Sequence, residues 1–193
     1  MKGLILEIGM VVVGYLLGSI PFGLLFSTTI YGIDPRKKGS GNIGATNVLR
    51  VVGKKAAFLT LVCDVLKGFA PIAVARHIGF NEEAILVVGL AVILGHIFSI
   101  YLGFKGGKGV ATSFGVFLVI SPQIAFIALI FWGGSVLISK YAAVGALTAF
   151  GALPFLAFFL KREFPFVLLA STVSVLVCFR HKDNIHRLLK GTE

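Results

Sequence analysis

Apolar residues in this chain fall in long continuous stretches rather than alternating with polar ones. A helix needs roughly 20 such residues to cross the hydrocarbon core of a membrane. The pattern therefore predicts one all-α domain over residues 1–193, a polytopic integral membrane helix bundle. The seven candidate transmembrane segments are residues 4–31, 56–76, 84–102, 110–120, 122–138, 143–160 and 164–179.

The first segment carries two features that bear on packing. Gly14-x-x-x-Gly18 is the spacing that lets another membrane helix approach closely. Pro21 is expected to kink the segment, and the hydroxyl of Ser19 or Thr28 could satisfy the backbone groups that the kink releases.

Residues 110–138 are ambiguous, because they could form one long helix or two short ones broken at Ser121-Pro122. With a break, 13 of the 18 Lys and Arg residues lie in one set of loops, at 32–55, 103–109, 139–142 and in the tail from Arg180. A single crossing would export the basic tail and weaken the positive-inside bias. We therefore predict seven transmembrane helices, with the N-terminus outside and the C-terminus inside.

Composition agrees with a membrane location. Apolar residues make up 57% of the chain and charged residues 13%, against about half and a quarter in soluble domains. The net charge of +10 would suggest nucleic acid in a soluble protein, but the short loops offer no basic surface interleaved with aromatic residues. We expect membrane lipid and not nucleic acid as a partner, and a monomer.

The first polar segment runs from Gly39 to Asn47 and is followed by Arg50. Its glycines allow backbone N–H groups to form a concavity for a phosphate, and Arg50 could add a bidentate clamp. A solvated connector is the alternative. The candidate hydrogen-bonding residues are Ser40, Gly41, Asn42, Thr46 and Asn47.

The second polar segment, Gly103 to Ser113, is rich in glycine and lysine and leads directly into an apolar helix. It is not a P-loop, because Gly109 follows Lys108 where Ser or Thr is required. The positive end of the following helix and two lysines predict an anion-binding loop, although lysines here could serve topology alone. The candidate residues are Gly103, Lys105, Gly106, Gly107, Lys108, Gly109 and Thr112.

The third polar segment is the tail. As a helix it would place His181, Asn184 and Arg187 on successive turns of one face. The alternative is a basic juxtamembrane helix that binds anionic lipid headgroups.

Asp64, Lys67 and His96 are titratable residues inside the predicted spans. Asp64 and Lys67 stand three apart and can neutralise each other on one helical face, as a structural pair or as a proton relay. His96 lies late in the third span, where it could bond a neighbouring helix or line the site.

Motifs that are missing narrow the chemistry. The chain has neither a G-x-S-x-G nucleophile elbow nor an H-E-x-x-H zinc motif, and few acids lie in the predicted cytoplasmic segments. We expect no metal and no cofactor. A site of amides, hydroxyls, lysines and histidines suits phosphate-bearing reactants, and a phosphate leaving group needs little acid catalysis beyond orientation and charge stabilisation.

Three segments together resemble the PlsY family of acyl-phosphate:glycerol-3-phosphate acyltransferases: GSGNIGATN with Arg50, GHIFSIYLGFKGGKGVAT and HKDNIHRLLKGTE. The resemblance covers the whole chain. It implies a bacterial inner-membrane enzyme that moves an acyl group from acyl phosphate to the 1-hydroxyl of glycerol 3-phosphate. The products would be lysophosphatidic acid and phosphate, at a site facing the cytoplasm.

The resemblance also implies roles for individual residues. Ser40 and Arg50 would be essential, the loop from Gly103 to Gly109 would hold glycerol phosphate, and His181, Asn184 and Glu193 would belong to the site or its support. His96, His181 or the departing phosphate could take the hydroxyl proton. Relatives often have serines where this chain has Ala143 and Ala146, so a serine role is not expected there.

Two other functions remain open at this point. A transporter of an organic phosphate or another small anion could also use helix N-termini and glycine-broken segments. Against it, the polar segments collect on one predicted face and the two halves show no repeat. A non-catalytic assembly subunit would not need three convergent polar loops.

Overall fold

The computed structural model describes residues 2–160 and 162–193, and every regular element in this part of the chain is helical. Two short 3-10 turns occur at Pro35–Lys37 and Ile100–Leu102. The helices, labelled α1 to α10 in chain order, are Lys2–Ser19, Phe22–Tyr31, Ala45–Val51, Lys54–His77, Glu82–Ile97, Val110–Ile120, Pro122–Ser139, Ala142–Phe159, Phe164–Arg180 and Lys182–Leu189. The predicted all-α class is confirmed.

Several of these helices can cross a membrane by length and composition. Within the described residues there are four such helices: α4, α5 with the turn that follows it, α7 and α8. Two bent pairs raise the number to six if each is one span: α1 with α2, bent by 41°, and α9 with α10, bent by 54°. Helix α6 is apolar but shorter. Seven crossings and their orientation therefore stay predictions.

The helices form two compact units, Met1–Val119 and Ile120–Glu193. The division falls at the end of α6, next to the break that the charge pattern favoured at Ser121. Helix α6 ends at Ile120 and α7 begins at Pro122, so that break is confirmed. One domain over the whole chain stays a prediction.

In the first unit, α1 and α5 pack closely through glycines. A Cβ atom on Gly18 would collide with the backbone carbonyl of Val92, and one on Gly14 would lie 3.1 Å from a methyl group of the same residue. From the other side, Gly95 meets the carbonyl of Tyr15. The predicted close approach at Gly14 and Gly18 is confirmed, and α5 is the partner.

The kink at Pro21 is present, but different side chains satisfy the backbone beside it. Ser19 and Thr28 donate back to carbonyls four residues earlier in their own helices, because a helical hydroxyl reaches that carbonyl most easily. Their expected role at the kink is thus wrong. Ser99 Oγ donates to the carbonyl of Ser19 at 2.6 Å, and Lys67 Nζ donates to that of Ile20 at 2.8 Å.

Helices α4 and α6 also meet through glycines. Gly68 lies against the carbonyl of Thr112, and Gly115 lies against that of Val65. At the far end of this pair, Arg76 donates to the carbonyl of Val119 at 2.6 Å. The contacts fix α6, and with it the loop that precedes α6, against α4.

The second unit is built from α7, α8 and α9, followed by the short α10. Gly145 on α8 packs closely against the backbone of Trp132 on α7, since a Cβ atom on Gly145 would lie 2.8 Å from the Trp132 carbonyl oxygen. Ala143 and Ala146 beside it are buried. Small residues at these positions are therefore explained by helix packing.

Candidate functional site

The first polar segment is a loop organised by one buried amide, that of Asn47. Its Nδ2 donates to the carbonyls of Pro35, Lys38 and Asn42 at 2.9, 3.2 and 2.8 Å. Its Oδ1 accepts from the backbone N–H of Ser40 at 2.9 Å. Asn47 thus shapes the loop from within, and its donors are used on the protein's own backbone.

Helix α3 starts where this loop ends. The Asn42 side chain accepts from the N–H of Gly44, the residue that caps α3, at 2.8 Å. Gly41 has φ +70°, a conformation that favours glycine. These contacts leave Thr46 and Arg50 exposed, and Ser40 half-buried.

A local ion pair sets part of the charge beside this loop. Arg36 binds Asp34 through its side chain, with Nη2 2.8 Å from Oδ2, and through its backbone N–H at 2.9 Å. The side-chain hydrogen bond from Arg36 lowers the pKa of Asp34 to about 2. Arg36 is therefore paired inside its own turn, whereas Arg50 projects from α3.

The second polar segment folds back onto the end of α5. The N–H of Phe104 donates to the carbonyl of Ser99 at 2.7 Å. The N–H groups of Gly106 and Gly107 donate to the carbonyls of Ile97 and His96 at 3.1 and 3.0 Å. These bonds give the loop a defined path before α6 begins at Val110.

The fold-back explains two of the glycines by packing. A Cβ atom on Gly106 would collide with the His96 carbonyl, and one on Gly107 would collide with Nε2 of the His96 ring. The N–H groups of both glycines serve this packing in the structure. Positive charge beside the loop comes from Lys105, which is exposed, from Lys108, which is half-buried, and from the first turn of α6.

His96 is buried beneath the loop, in a polar cluster. Its Nδ1 is 3.0 Å from Oγ1 of Thr112 and 3.8 Å from Oδ1 of Asp64. Asp64 is paired with Lys67, with Oδ1 2.7 Å from Nζ, which confirms the predicted pair. Of the two alternatives for His96, bonding to neighbouring helices is present, and Gly107 places the ring against the loop as well.

The tail forms a second polar cluster, in the unit Ile120–Glu193. The carboxylate of Glu193 accepts from Asn184 Nδ2 at 2.7 Å and from Arg187 Nε at 2.6 Å. Asn184 and Arg187 lie one turn apart on α10, as the spacing predicted. Glu193 joins them and folds the end of the tail against the helix.

His181 lies at the junction of α9 and α10 and is buried. Its Nδ1 is 2.7 Å from the carbonyl oxygen of Val177. A carbonyl can only accept a hydrogen bond, so Nδ1 carries the proton. In the neutral ring, Nε2 is then the acceptor.

The structure thus assembles the predicted residues in three groups: the Asn47 loop, the His96 cluster with the glycine-rich loop, and the tail cluster. The sequence did not indicate that Asp64 and Ser99 belong with the second group. Their place there depends on how the helices pack against one another. Among the described residues, no three His, Cys, Asp or Glu side chains are close enough to hold a metal ion.

Comparison with known proteins decides the family. Residues 8–191 match the family model described as glycerol-3-phosphate acyltransferase. The chain belongs to this family. The resemblance carried by the three polar segments is confirmed.

Curated members of the family match along nearly their whole length. The glycerol-3-phosphate acyltransferase of Geobacter sulfurreducens is 44% identical, over 97% of this chain and 96% of the relative. That of Mesorhizobium japonicum is 47% identical, over 99% of this chain and 95% of the relative.

Solved structures of the family show the same fold. The chain matches the glycerol 3-phosphate form of PlsY (YgiH), an integral membrane glycerol 3-phosphate acyltransferase, with TM-score 0.92 and 39% identity. The match covers 97% of this chain and 94% of that one. The lysophosphatidic acid form matches with TM-score 0.89. The predicted integral membrane bundle is confirmed.

Proposed function

We propose that this protein transfers a fatty acyl group from acyl phosphate to the 1-hydroxyl of glycerol 3-phosphate. The products are lysophosphatidic acid and inorganic phosphate. The observation that carries the proposal is the near full-length match to an acyltransferase solved in its glycerol 3-phosphate form. The three polar groups of this chain supply the chemistry that such a reaction needs.

The acceptor site is assigned to the glycine-rich loop. Lys105 and Lys108 bring two positive charges next to the start of α6, whose first-turn N–H groups have no partner within the helix. A phosphate dianion is stabilised by both. Gly106 and Gly107 contribute by letting the loop pack closely on His96, and their N–H groups donate to the carbonyls of Ile97 and His96.

The donor is assigned from leaving-group chemistry and the family resemblance. Within the described residues, a nucleophile activated for a covalent acyl-enzyme is not apparent, so the acyl group passes directly between substrates. Phosphate leaves a mixed anhydride as a stable anion, which a site rich in positive charge favours. Arg50 and the loop that Asn47 shapes are assigned to the acyl phosphate.

The bond changes follow from that assignment. The 1-hydroxyl oxygen attacks the acyl carbonyl carbon, the new ester C–O bond forms, and the C–O bond to phosphate breaks with both electrons leaving on phosphate. The hydroxyl proton passes to the departing phosphate or to a histidine. In His181 the hydrogen bond to the Val177 carbonyl keeps the proton on Nδ1.

The location is part of the proposal. The protein acts as a monomer in the bacterial inner membrane, with the three polar groups facing the cytoplasm, where glycerol 3-phosphate is soluble. Membrane lipid surrounds the helices and takes up the product.

The test uses purified protein in detergent or lipid mesophase, given glycerol 3-phosphate with either palmitoyl phosphate or palmitoyl-CoA. We expect lysophosphatidic acid and phosphate in equal amounts from palmitoyl phosphate and neither from palmitoyl-CoA. Product from palmitoyl-CoA alone would refute the donor assignment. No product from either, in protein shown to be folded, would refute the acyltransferase activity.

A further inference from the structure

A line of buried polar contacts joins the break in the first span to the glycine-rich loop, and the proposed reaction assigns no step to Asp64, Lys67 or Ser99 in it. Lys67 Nζ donates to the carbonyl of Ile20 at 2.8 Å and lies 2.7 Å from Oδ1 of Asp64. Both charged side chains are only 4% exposed. Asp64 Oδ1 in turn is 3.8 Å from Nδ1 of His96.

His96 connects this line to the loop. Thr112 Oγ1 holds Nδ1 of the ring at 3.0 Å, and the opposite edge of the ring, at Nε2, supports Gly107 so closely that no Cβ atom fits. A shift of the ring would therefore move Gly107, and Lys108 with it.

Ser99 makes a second connection between the same two places. Its hydroxyl donates to the carbonyl of Ser19, and its own carbonyl accepts from the N–H of Phe104. The break in the first span is thus tied to the loop at two points, one through Ser99 and one through the charged pair.

A buried ion pair is a poor means of gaining stability. Removing both charges from water costs about as much as their attraction returns, and apolar residues of similar volume usually stabilise a fold as well or better. Charged residues inside a membrane span are therefore functional candidates by default. What Asp64 and Lys67 supply that apolar residues would not is a directional contact, to Ile20 on one side and towards His96 on the other.

We propose that Asp64 and Lys67 are positioning residues for the glycine-rich loop. By holding the His96 ring under Gly107, they set where Lys108 and the first turn of α6 stand, and so how well the loop binds a phosphate. The identity of that phosphate, glycerol 3-phosphate, rests on the proposed function. The effect of Asp64 and Lys67 on the position of the loop does not depend on the proposed function.

The test replaces both charges by apolar groups, Asp64→Leu with Lys67→Met, which leaves no buried charge unpaired. We expect amide hydrogen exchange over residues 103–109 to be faster than in the unchanged protein. We also expect KM for glycerol 3-phosphate to rise about tenfold, which corresponds to about 1.4 kcal/mol of binding, with a much smaller change in kcat. The control is Thr60→Val on the same helix, because the Thr60 hydroxyl is buried but bonds only its own helix at Ala56.

A second variant guards against a loss of folding. Asp64→Asn with Lys67→Gln removes the charges but keeps groups that can hydrogen-bond, and should return exchange and KM most of the way to those of the unchanged protein. Unchanged exchange and unchanged KM in the folded apolar variant would overturn the proposal. The unchanged protein could also prove to have no acyltransferase activity. Faster loop exchange in the apolar variant would then still support the positioning role, while the missing activity would refute the proposed function.

Discussion

Asn47, in the first turn of α3, and Lys108, in the glycine-rich loop, contribute in different ways to the two polar segments of the unit Met1–Val119. Asn47 is buried, and its amide makes four hydrogen bonds to the backbone of its own loop. Lys108 is half-buried, at the point where the glycine-rich loop turns into α6. Asn47 shapes its loop and Lys108 contributes charge. A substitution of Asn47 should therefore disturb the loop structure, and one of Lys108 should lower activity.

Replacing Lys108 by Ala should lower kcat/KM by about 10- to 100-fold, because a hydrogen bond to a charged group such as the phosphate contributes about 1.5–3 kcal/mol. The protein should stay folded, as judged by its thermal unfolding midpoint in detergent. The matched control is Lys55→Ala, which removes an exposed lysine near the start of α4 and should leave turnover unchanged. Equal losses in both variants would mean that overall positive charge matters and the loop does not.

Replacing Asn47 by Asp keeps the shape and the acceptor oxygen but removes the donors to three carbonyls. Each carbonyl left without a partner costs about 1–3 kcal/mol, so the loop from Pro35 to Asn47 should open and exchange its amide hydrogens faster. Asn81→Asp is the matched control, because Asn81 caps α5 by accepting from the N–H of Ala84 and Asp can do the same. A loop that stays protected in Asn47→Asp would contradict the role assigned to its amide.

At the scale of helices, local rules predicted the breaks but not the short elements. Pro21 and the Ser121-Pro122 pair end helices because proline cannot donate to the preceding turn, and the structure breaks at both. Helix α3 lies in what looked like a loop. Its seven residues hold together through packing, with Val48 fully buried against Ala56 and Ala57 of α4, which no local pattern reveals.

For the candidate site too, the sequence predicted local features but not the contacts between distant segments. The residue types and spacing of the polar segments were enough to propose Asn47, Lys108 and Asn184 as candidates, and their roles stay predictions. They could not show that Gly107 rests on His96 or that Glu193 bridges Asn184 and Arg187, since these contacts depend on how distant segments fold back. In the glycine-rich loop the anion site was predicted from the start of the helix and two lysines, and the structure adds that Gly106 and Gly107 allow close packing on His96.

The contact between α1 and α5 gives a prediction at this scale. Gly18→Ala would push a methyl group into the Val92 backbone and should destabilise the protein by about 1–3 kcal/mol. Gly9→Ala, on the same helix but with nothing within 4 Å, should be neutral or stabilising by up to about 1 kcal/mol. The measurement is the unfolding midpoint in detergent, and a loss at Gly9 as large as that at Gly18 would argue against the contact.

At the scale of the whole molecule, one contact in each unit bears on the predicted topology. In the first, Arg76 at the end of α4 bonds the carbonyl of Val119 at the end of α6. In the second, Arg162 donates to Ser121 Oγ at 2.7 Å. Each contact joins two positions that the predicted topology places on the same, outer side. A single crossing by residues 110–138 would instead leave Ser121 within the membrane and send the tail outside.

Cysteine labelling decides between these arrangements. In a background without the two free cysteines, Cys63→Ala with Cys178→Ala, the exposed residues Glu163 and Thr192 are each replaced by Cys. A membrane-impermeant maleimide added to intact spheroplasts should label Glu163→Cys, because seven crossings place that loop outside. It should reach Thr192→Cys only after lysis, since the thirteen basic residues in the tail and the three loops predict a cytoplasmic location for all four. Labelling of Thr192→Cys in intact cells would place His181, Asn184 and Glu193 on the outer face, away from cytoplasmic glycerol 3-phosphate, and would rule out the proposed orientation.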